Sequence, residues 1–449
     1  MHGSGVCRRH MPPMPGVTIE LAPLFRPPQP LADADGARGS SSNAPTQIGR
    51  KLRWTKWRCC ACCCLLTAVM LTCVPLLSIQ PPLPPDTSRV FGGWPTLVDG
   101  INVQCFRLPS IVQIGNGTLF AFAEARLSSC EDCTVTGIVY GQSVDGGRSW
   151  SSPKWVVPPD EAYVTAVNPT SLYDAQSGRI LLQYVRGRRN LAGQQSCNPG
   201  LSNWQISSSD GGLSWSIPVD LSLQLGPWAG VLVGPGAGIQ LSDAAGRFAG
   251  RHLWVGHYGA YMDVVVWYSD DGGMTYHLAN TSRLYSGDES QLLEMPDGRV
   301  AVNMRNKASR NGCRCRAIAY SSDGGVTFTS PSYDAALISP VCQGSLSRIG
   351  DRIYFSNPHS TSHRANGRVQ ASDDGGRTWD TVMAVTDGGL HGSFGYSALV
   401  QGPLIKRTSD DKATSGGLLW EHSAVPLLSL FGPLFFDHPF IYFTRFDAF

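Results

Sequence analysis

The chain has 449 residues, enough for one large domain or two to three ordinary ones. Its formal net charge is only +2, which argues against nucleic acid and against a polybasic partner, so an anionic ligand has to be met by a local cluster. Fifty glycines and 31 prolines favour a turn-rich, all-β chain over a helical one.

Residues 1–58 are rich in Pro, Gly, Ser and Arg without sustained periodicity, and read as a disordered tail. "CCACCCLLTAVMLTCVPLLSI", Cys59 to Ile79, follows without a charge over 21 residues, a length that spans a bilayer. Arg50, Lys51, Arg53, Lys56 and Arg58 precede it, and the next basic residue is Arg89. The expectation is a transmembrane signal-anchor at 59–79 with a cytosolic tail and everything beyond it luminal or extracellular, a single-pass type II arrangement in the Golgi, lysosome or cell surface. A cleaved secretory signal is the rival, but 58 residues is too long for its basic leader. Residues 80–89 form a Pro-rich stalk. Asn116 and Asn280 lie in glycosylation sequons on the side expected to be luminal, whereas Pro169 disqualifies Asn168.

Of the 14 cysteines, seven follow the candidate anchor: Cys105, Cys130, Cys133, Cys197, Cys313, Cys315 and Cys342. Cys130/Cys133 and Cys313/Cys315 are closely spaced, but the partner pairs of a structural zinc site are missing. One or two local disulfides are expected. Seven is odd, so at least one thiol stays free or pairs between chains.

An octet recurs five times: "SVDGGRSW" from Ser143, "SSDGGLSW" from Ser208, "SDDGGMTY" from Ser269, "SSDGGVTF" from Ser321 and "SDDGGRTW" from Ser372. Its aspartates, Asp145, Asp210, Asp271, Asp323 and Asp374, are 65, 61, 52 and 51 residues apart. Short alternating runs such as "RILLQYV" and "MDVVVWYSD" lie between copies, which predicts a propeller of four-stranded blades. Within each copy the aspartate accepts from backbone N–H groups of its own turn, and the Gly-Gly pair supplies positive φ. A calcium loop is excluded by the missing D-x-D-x-D ladder and twelfth-position Glu. The octet is scaffold.

It also resembles the Asp box of the exo-α-sialidases, which are six-bladed β-propellers, and the expected fold is that propeller over residues 90–449. Similar boxes occur in non-hydrolytic propellers, so function rests on other residues. A sialic acid carries a carboxylate on its anomeric carbon. Arginine forks suit that group, and a neutral tyrosine is a better nucleophile beside it than a carboxylate.

"CFRLPSI" (Cys105 to Ile111) resembles the motif that opens sialidase propellers, with Arg107 flanked by Phe106 and Leu108, which face the other way on a strand. "FAFAEARLSSCEDC" (Phe120 to Cys133) is similar to animal lysosomal-type sialidases. The resemblance makes Asp132 the acid/base, with Glu131 as competitor, and puts Glu124 and Arg126 at the pocket, or else in a structural ion pair. In "GDESQLLEMPDGRVAVNMRNKASRNGCRC" (Gly287 to Cys315) it implies Glu289 as general base, ahead of Glu294, and Arg305 as second clamp arginine. The third arginine is Arg364, with Arg368 as alternative. Tyr396 in "GSFGYSALV" matches the nucleophile, and Glu421 in "GLLWEHS" matches the carboxylate that orients the first arginine.

Taken together, the resemblance implies a retaining exo-α-sialidase acting on sialylated glycoproteins, glycolipids or oligosaccharides through a tyrosyl-sialyl intermediate, with no cofactor and no metal. A trans-sialidase and a non-catalytic Asp-box propeller are the alternatives. Residues 403–419 and the apolar stretch 423–439 depart from the pattern.

Overall fold

A computed structural model describes residues 82–448, apart from 94–95, 133, 161–162, 189–199, 259–262, 281–283, 286, 308, 310–311, 388–392, 402–413 and 424–438. The described chain is almost entirely β, with one α-turn at Ser222–Leu225 and two 3-10 segments at Gly226–Trp228 and Asp243–Phe248.

Four sheets present a four-strand path of antiparallel neighbours. One joins Ser290–Glu294, Val300–Met304, Cys315–Ser321 and Ser332–Ile338. A second joins Ser345–Ile349, Arg352–Pro358, Gly367–Ser372 and Asp380–Ala384. The third runs Leu232–Val233, His252–Tyr258, Asp263–Ser269 and His277–Leu278, with two short strands added at its sides. The last is the closure: Ser397–Gln401, Thr414–Ser423 and Pro439–Ala448 pair in order, and Thr87–Phe91 from the other end of the chain completes the sheet.

The expectation of six separate blades is corrected by this pairing. The first two groups of long strands, from Cys105–Gln113 to Val219–Asp220, belong to one continuous nine-stranded sheet. Thr136 of strand Thr136–Ser143 bridges in parallel to Thr165 of strand Tyr163–Asp174, and that contact fuses what the repeat spacing separates. The octet spacing reports turns and is blind to lateral bridges. The expected transmembrane segment 59–79 and the 1–58 tail lie outside the described residues, and among the described residues no helix is long and apolar enough to cross a membrane.

Strand Leu119–Arg126 shows how sequence builds the packing. All eight residues are buried, because both faces of the sheet are covered. Leu119, Ala121, Ala123 and Ala125 enter one core with Val90, Phe91 and Phe443. Phe120 and Phe122 enter another with Tyr140, Ile180 and Tyr184. Period-two alternation thus divides one strand between two intersheet cores, and each buried Phe contributes about 1.5–3 kcal/mol.

Each octet folds as a self-bonded turn. In the first, Asp145 Oδ1 accepts from Ser143 Oγ (2.7 Å) and from Arg148 and Ser149 N (3.0 Å each), and Oδ2 accepts from Ser149 Oγ (2.6 Å). Asp210, Asp271, Asp323 and Asp374 repeat the pattern. Gly147 has φ +85°, and a Cβ there falls 2.1 Å from the Phe443 ring. Trp150 closes the turn edge-on to the same ring at 5.4 Å.

Candidate active site

Arg107, Glu289, Arg305, Arg364 and Glu421 gather around Tyr396. In the antiparallel pair Ser290–Glu294 and Val300–Met304, Ser290 lies opposite Met304. The ladder continues one step outward, with Arg305 N donating to Glu289 O (3.0 Å) and Asp288 N to Arg305 O (2.9 Å). Glu289 and Arg305 are therefore cross-strand neighbours on one face. Arg305 Nη1 donates to Glu289 Oε2, and Tyr396 OH donates to Glu289 Oε1. Arg305 Nη1 also stands 3.4 Å from the Tyr396 hydroxyl.

Two more guanidinium groups face the same tyrosine. Arg107 lies 5.5 Å and Arg364 5.3 Å from its ring centroid. Arg364 is exposed. Arg368, its alternative, instead bonds Asn366 and Thr381 along its own sheet, away from this group.

Glu421 joins the first arginine to the tyrosine. Its Oε1 accepts from Arg107 Nε (3.0 Å) and Leu108 N (2.6 Å), and its Oε2 accepts from Tyr396 N (3.3 Å). Leu108 sits at φ +53° inside a β-bulge between Arg107 and Ser110, so strict alternation fails here. Phe106 enters the core as expected, but Leu108 is turned beneath the site, against Cys342 and Tyr396. Strain at a non-glycine residue of this kind needs a surrounding hold, and Glu421 supplies it. Gly395 is required next to Tyr396, because a Cβ there meets Glu421 Oε2 at 2.6 Å.

Glu124 has the matching role in the neighbouring strand. It accepts from the backbone N of Asn168, another bulge residue at φ +58°, at 2.9 Å. It also takes both Arg126 Nε (2.9 Å) and Nη2 (2.7 Å). Arg126 is itself 3% exposed and reaches Cys130 O (2.5 Å) and Asp132 Oδ1 (3.0 Å). Both readings of Glu124 and Arg126 are thus joined: they form a buried ion pair, and that pair holds the Asp132 loop.

The loop is fastened at its base by a disulfide from Cys130 to Cys105, not by the close spacing of Cys130 and Cys133; Cys133 and Cys197 lie outside the described residues. Cys313 and Cys315 pair locally, and Cys342 is a free, buried thiol. Among the described residues no cluster of ligating side chains fits a metal ion. Asp132 is 83% exposed. Glu131 is exposed too, and its backbone N donates to Ser129 Oγ. Glu294 is taken up by Ser242 and Arg348, so it belongs to the scaffold.

The electrostatics divide the roles. Burial is the strongest single influence and works to raise the Glu289 carboxyl, but Arg305, His257 and the hydrogen bond from Tyr396 together hold the group below its ordinary value. Burial, and then the anion of Glu289, push the Tyr396 hydroxyl well above 10. The resting pair is therefore a protonated tyrosine donating to a carboxylate. Burial opposes the charge on Arg107, yet Glu421 keeps it firmly protonated.

Four members of the neighbourhood carry no motif signal of their own: Asp288, His257, Arg316 and Cys342. Asp288 was visible only as an acid adjacent to Glu289. His257 is the next-to-last residue of the strand His252–Tyr258, and its polarity there was the one hint.

The BNR repeat-like domain matches residues 117–404, and the chain belongs to that family. The relatives it resembles are named sialidases. It is 28% identical over 349 residues to a sialidase of Micromonospora viridifaciens, covering 72% of this chain and 52% of the relative. It is 29% identical over 350 residues to a sialidase of Bacteroides fragilis, covering 72% and 61%. The chain thus spans roughly half to three-fifths of these relatives' length. Among solved structures, the Hadza microbial sialidase Hz136 is similar with a TM-score of 0.60 and 26% identity, covering 77% of this chain and 66% of that one.

Proposed function

We propose that the chain is a retaining exo-α-sialidase that hydrolyses terminal sialic acids from glycoconjugates. The observation that carries the reading is the convergence of Arg107, Arg305 and Arg364 on one buried tyrosine that donates to Glu289. Three cations beside a nucleophile suit a sugar whose carboxylate is attached at the reacting carbon.

In this reading the arginines hold the substrate carboxylate. Free phenolate is disfavoured in the resting site, so Tyr396 passes its proton to Glu289 as its oxygen bonds to the anomeric carbon. Asp132 gives a proton to the departing glycosidic oxygen. Water then attacks the sialyl-tyrosine with Asp132 as base, the bond to Tyr396 breaks, and Glu289 returns the proton to the phenolate. Two inversions give net retention.

Hydrolysis of a chromogenic sialoside by the full chain tests the reading, with NMR of the first-formed anomer. Release of α-sialic acid is expected; no release, or the β-anomer first, overturns it. Added galactoside separates a hydrolase from a trans-sialidase, which would divert sialic acid to the acceptor.

The proposal extends to compartment: the propeller works in the lumen or outside the cell. The Cys105–Cys130 disulfide supports an oxidising setting. Asn116 and Asn280 are both exposed and open to a glycan. A mass shift of the secreted or membrane-fraction protein on treatment with an N-glycosidase is expected; its absence counts against the placement.

A further inference from the structure

Behind Glu289 lies a second carboxylate that the mechanism above does not use. Asp288 is 1% exposed. Its Oδ1 accepts from Glu289 N at 2.8 Å and stands 3.3 Å from His257 Nε2. Its Oδ2 stands 3.4 Å from Arg305 Nε and 4.0 Å from Lys307 Nζ. A buried anion of this kind is expensive unless it is paired, and every cation near it also bears on the site.

The geometry has a direct consequence for Arg305. Its guanidinium is approached from the Nε edge by Asp288 and at Nη1 by Glu289. The Asp288 contact is a buried ion pair, not a hydrogen bond, and together with Glu289 it sets negative charge on two edges of the fork, which biases the plane more than one carboxylate alone. We propose that Asp288, backed by His257 and Lys307, is a positioning residue that fixes the guanidinium plane of Arg305, and so aims it at the substrate carboxylate and at the Glu289–Tyr396 pair. This rests on the sialidase reading and deepens it.

The surroundings give the device a pH dependence. Facing Asp288 are Glu289 on its own segment, His257, Arg305 and Lys307, with Tyr396, Arg316 and Cys342 in the next layer. Burial, and then Glu289, push the Asp288 carboxyl up to about 6, while Glu289 is held low. Burial pushes His257 down to about 4, so it is neutral at the pH near 6 where Asp288 titrates. As pH falls through about 6 Asp288 takes a proton before Glu289 does. The base stays ionised, and the hold on Arg305 relaxes first.

The test uses the full chain, a chromogenic sialoside and three proteins. Asp288→Asn keeps shape and removes charge: KM should rise about 10-fold, corresponding to about 1.4 kcal/mol, and the acid limb near pH 6 should vanish. Lys307→Met alters a half-exposed side chain and should fold normally, yet removing its charge should move that limb to higher pH. Wild-type turnover with unchanged KM and pH profile in Asp288→Asn sinks the inference and leaves the sialidase reading intact. Should Asp288→Asn not fold, an unmoved limb in Lys307→Met sinks it instead. An inactive wild type would remove the sialidase reading, and this inference with it.

Discussion

The octet turns and the active rim use the same chemistry, a carboxylate accepting N–H groups, at opposite ranges. Asp145 bonds only residues within four positions of itself. Glu421 reaches Arg107 across 314 positions, and Tyr396 reaches Glu289 across 107. A local turn can form as soon as its own residues meet, whereas the rim exists only once the sheets have assembled and the strand Thr87–Phe91 has closed against Pro439–Ala448. Damage should therefore separate: rim variants lose turnover with the fold kept, and octet variants lose stability with turnover per folded molecule kept.

The largest effect tests that separation at its sharpest. Tyr396→Phe removes the hydroxyl and leaves the ring that Arg107 and Arg364 face. Turnover should fall by about 10³-fold or more with an unchanged thermal midpoint. Near-normal activity would dismiss Tyr396 as the nucleophile. Asp132→Asn should cost about 10²–10⁴-fold on a sialoside with an alkyl leaving group, and much less on one with an acidic phenol that needs no proton. Equal losses on both substrates would argue that Asp132 is not the acid.

Glu421→Gln is built to break the separation. Glu421 holds Arg107, the strained Leu108 and the Tyr396 backbone together, so both properties should suffer. We expect about a 10²-fold loss in kcat/KM and about 3 kcal/mol less stability, from leaving a partly buried arginine without its charge partner. At the other pole, Gly147→Ala brings a Cβ against the Phe443 ring at positive φ. Destabilisation of about 1–3 kcal/mol is expected in a denaturant melt, with kcat per folded molecule unchanged.

The same contrast explains what could be read from the sequence. The octets were legible because a turn's chemistry lies in consecutive letters, and so was the all-β class. Arg107, Arg305, Arg364, Glu289, Tyr396 and Asp132 were named only through a family resemblance, since nothing in spacing alone brings residues 107 and 421 together. Blade separation was misjudged because a single bridge at Thr136 and Thr165 merges two strand groups. The Leu108 bulge escaped because alternation says nothing of where a strand is interrupted. Asp288 escaped for a subtler reason: a buried acid next to a better one looks redundant until the partner strand supplies Arg305 to both.

The smallest effect sharpens the local pole. Burial is the largest single influence on Asp145 and opposes its ionisation, but hydrogen bonds from Ser149, Ser143 and Arg148 together outweigh it and hold the carboxyl down at about 2. A carboxyl lowered on folding contributes stability above its unfolded value, near 3.8, and loses that contribution as pH falls toward 2. Asp145 lies half-buried at the surface, so solvent screening keeps its share at about 1 kcal/mol. Asp145→Asn should accordingly lower the thermal midpoint at pH 7, and the gap to wild type should narrow as the pH is brought down through 4. A gap constant from pH 7 to pH 3 would mean that the carboxylate's charge does not stabilise the turn, and that shape and the Gly-Gly pair alone hold it.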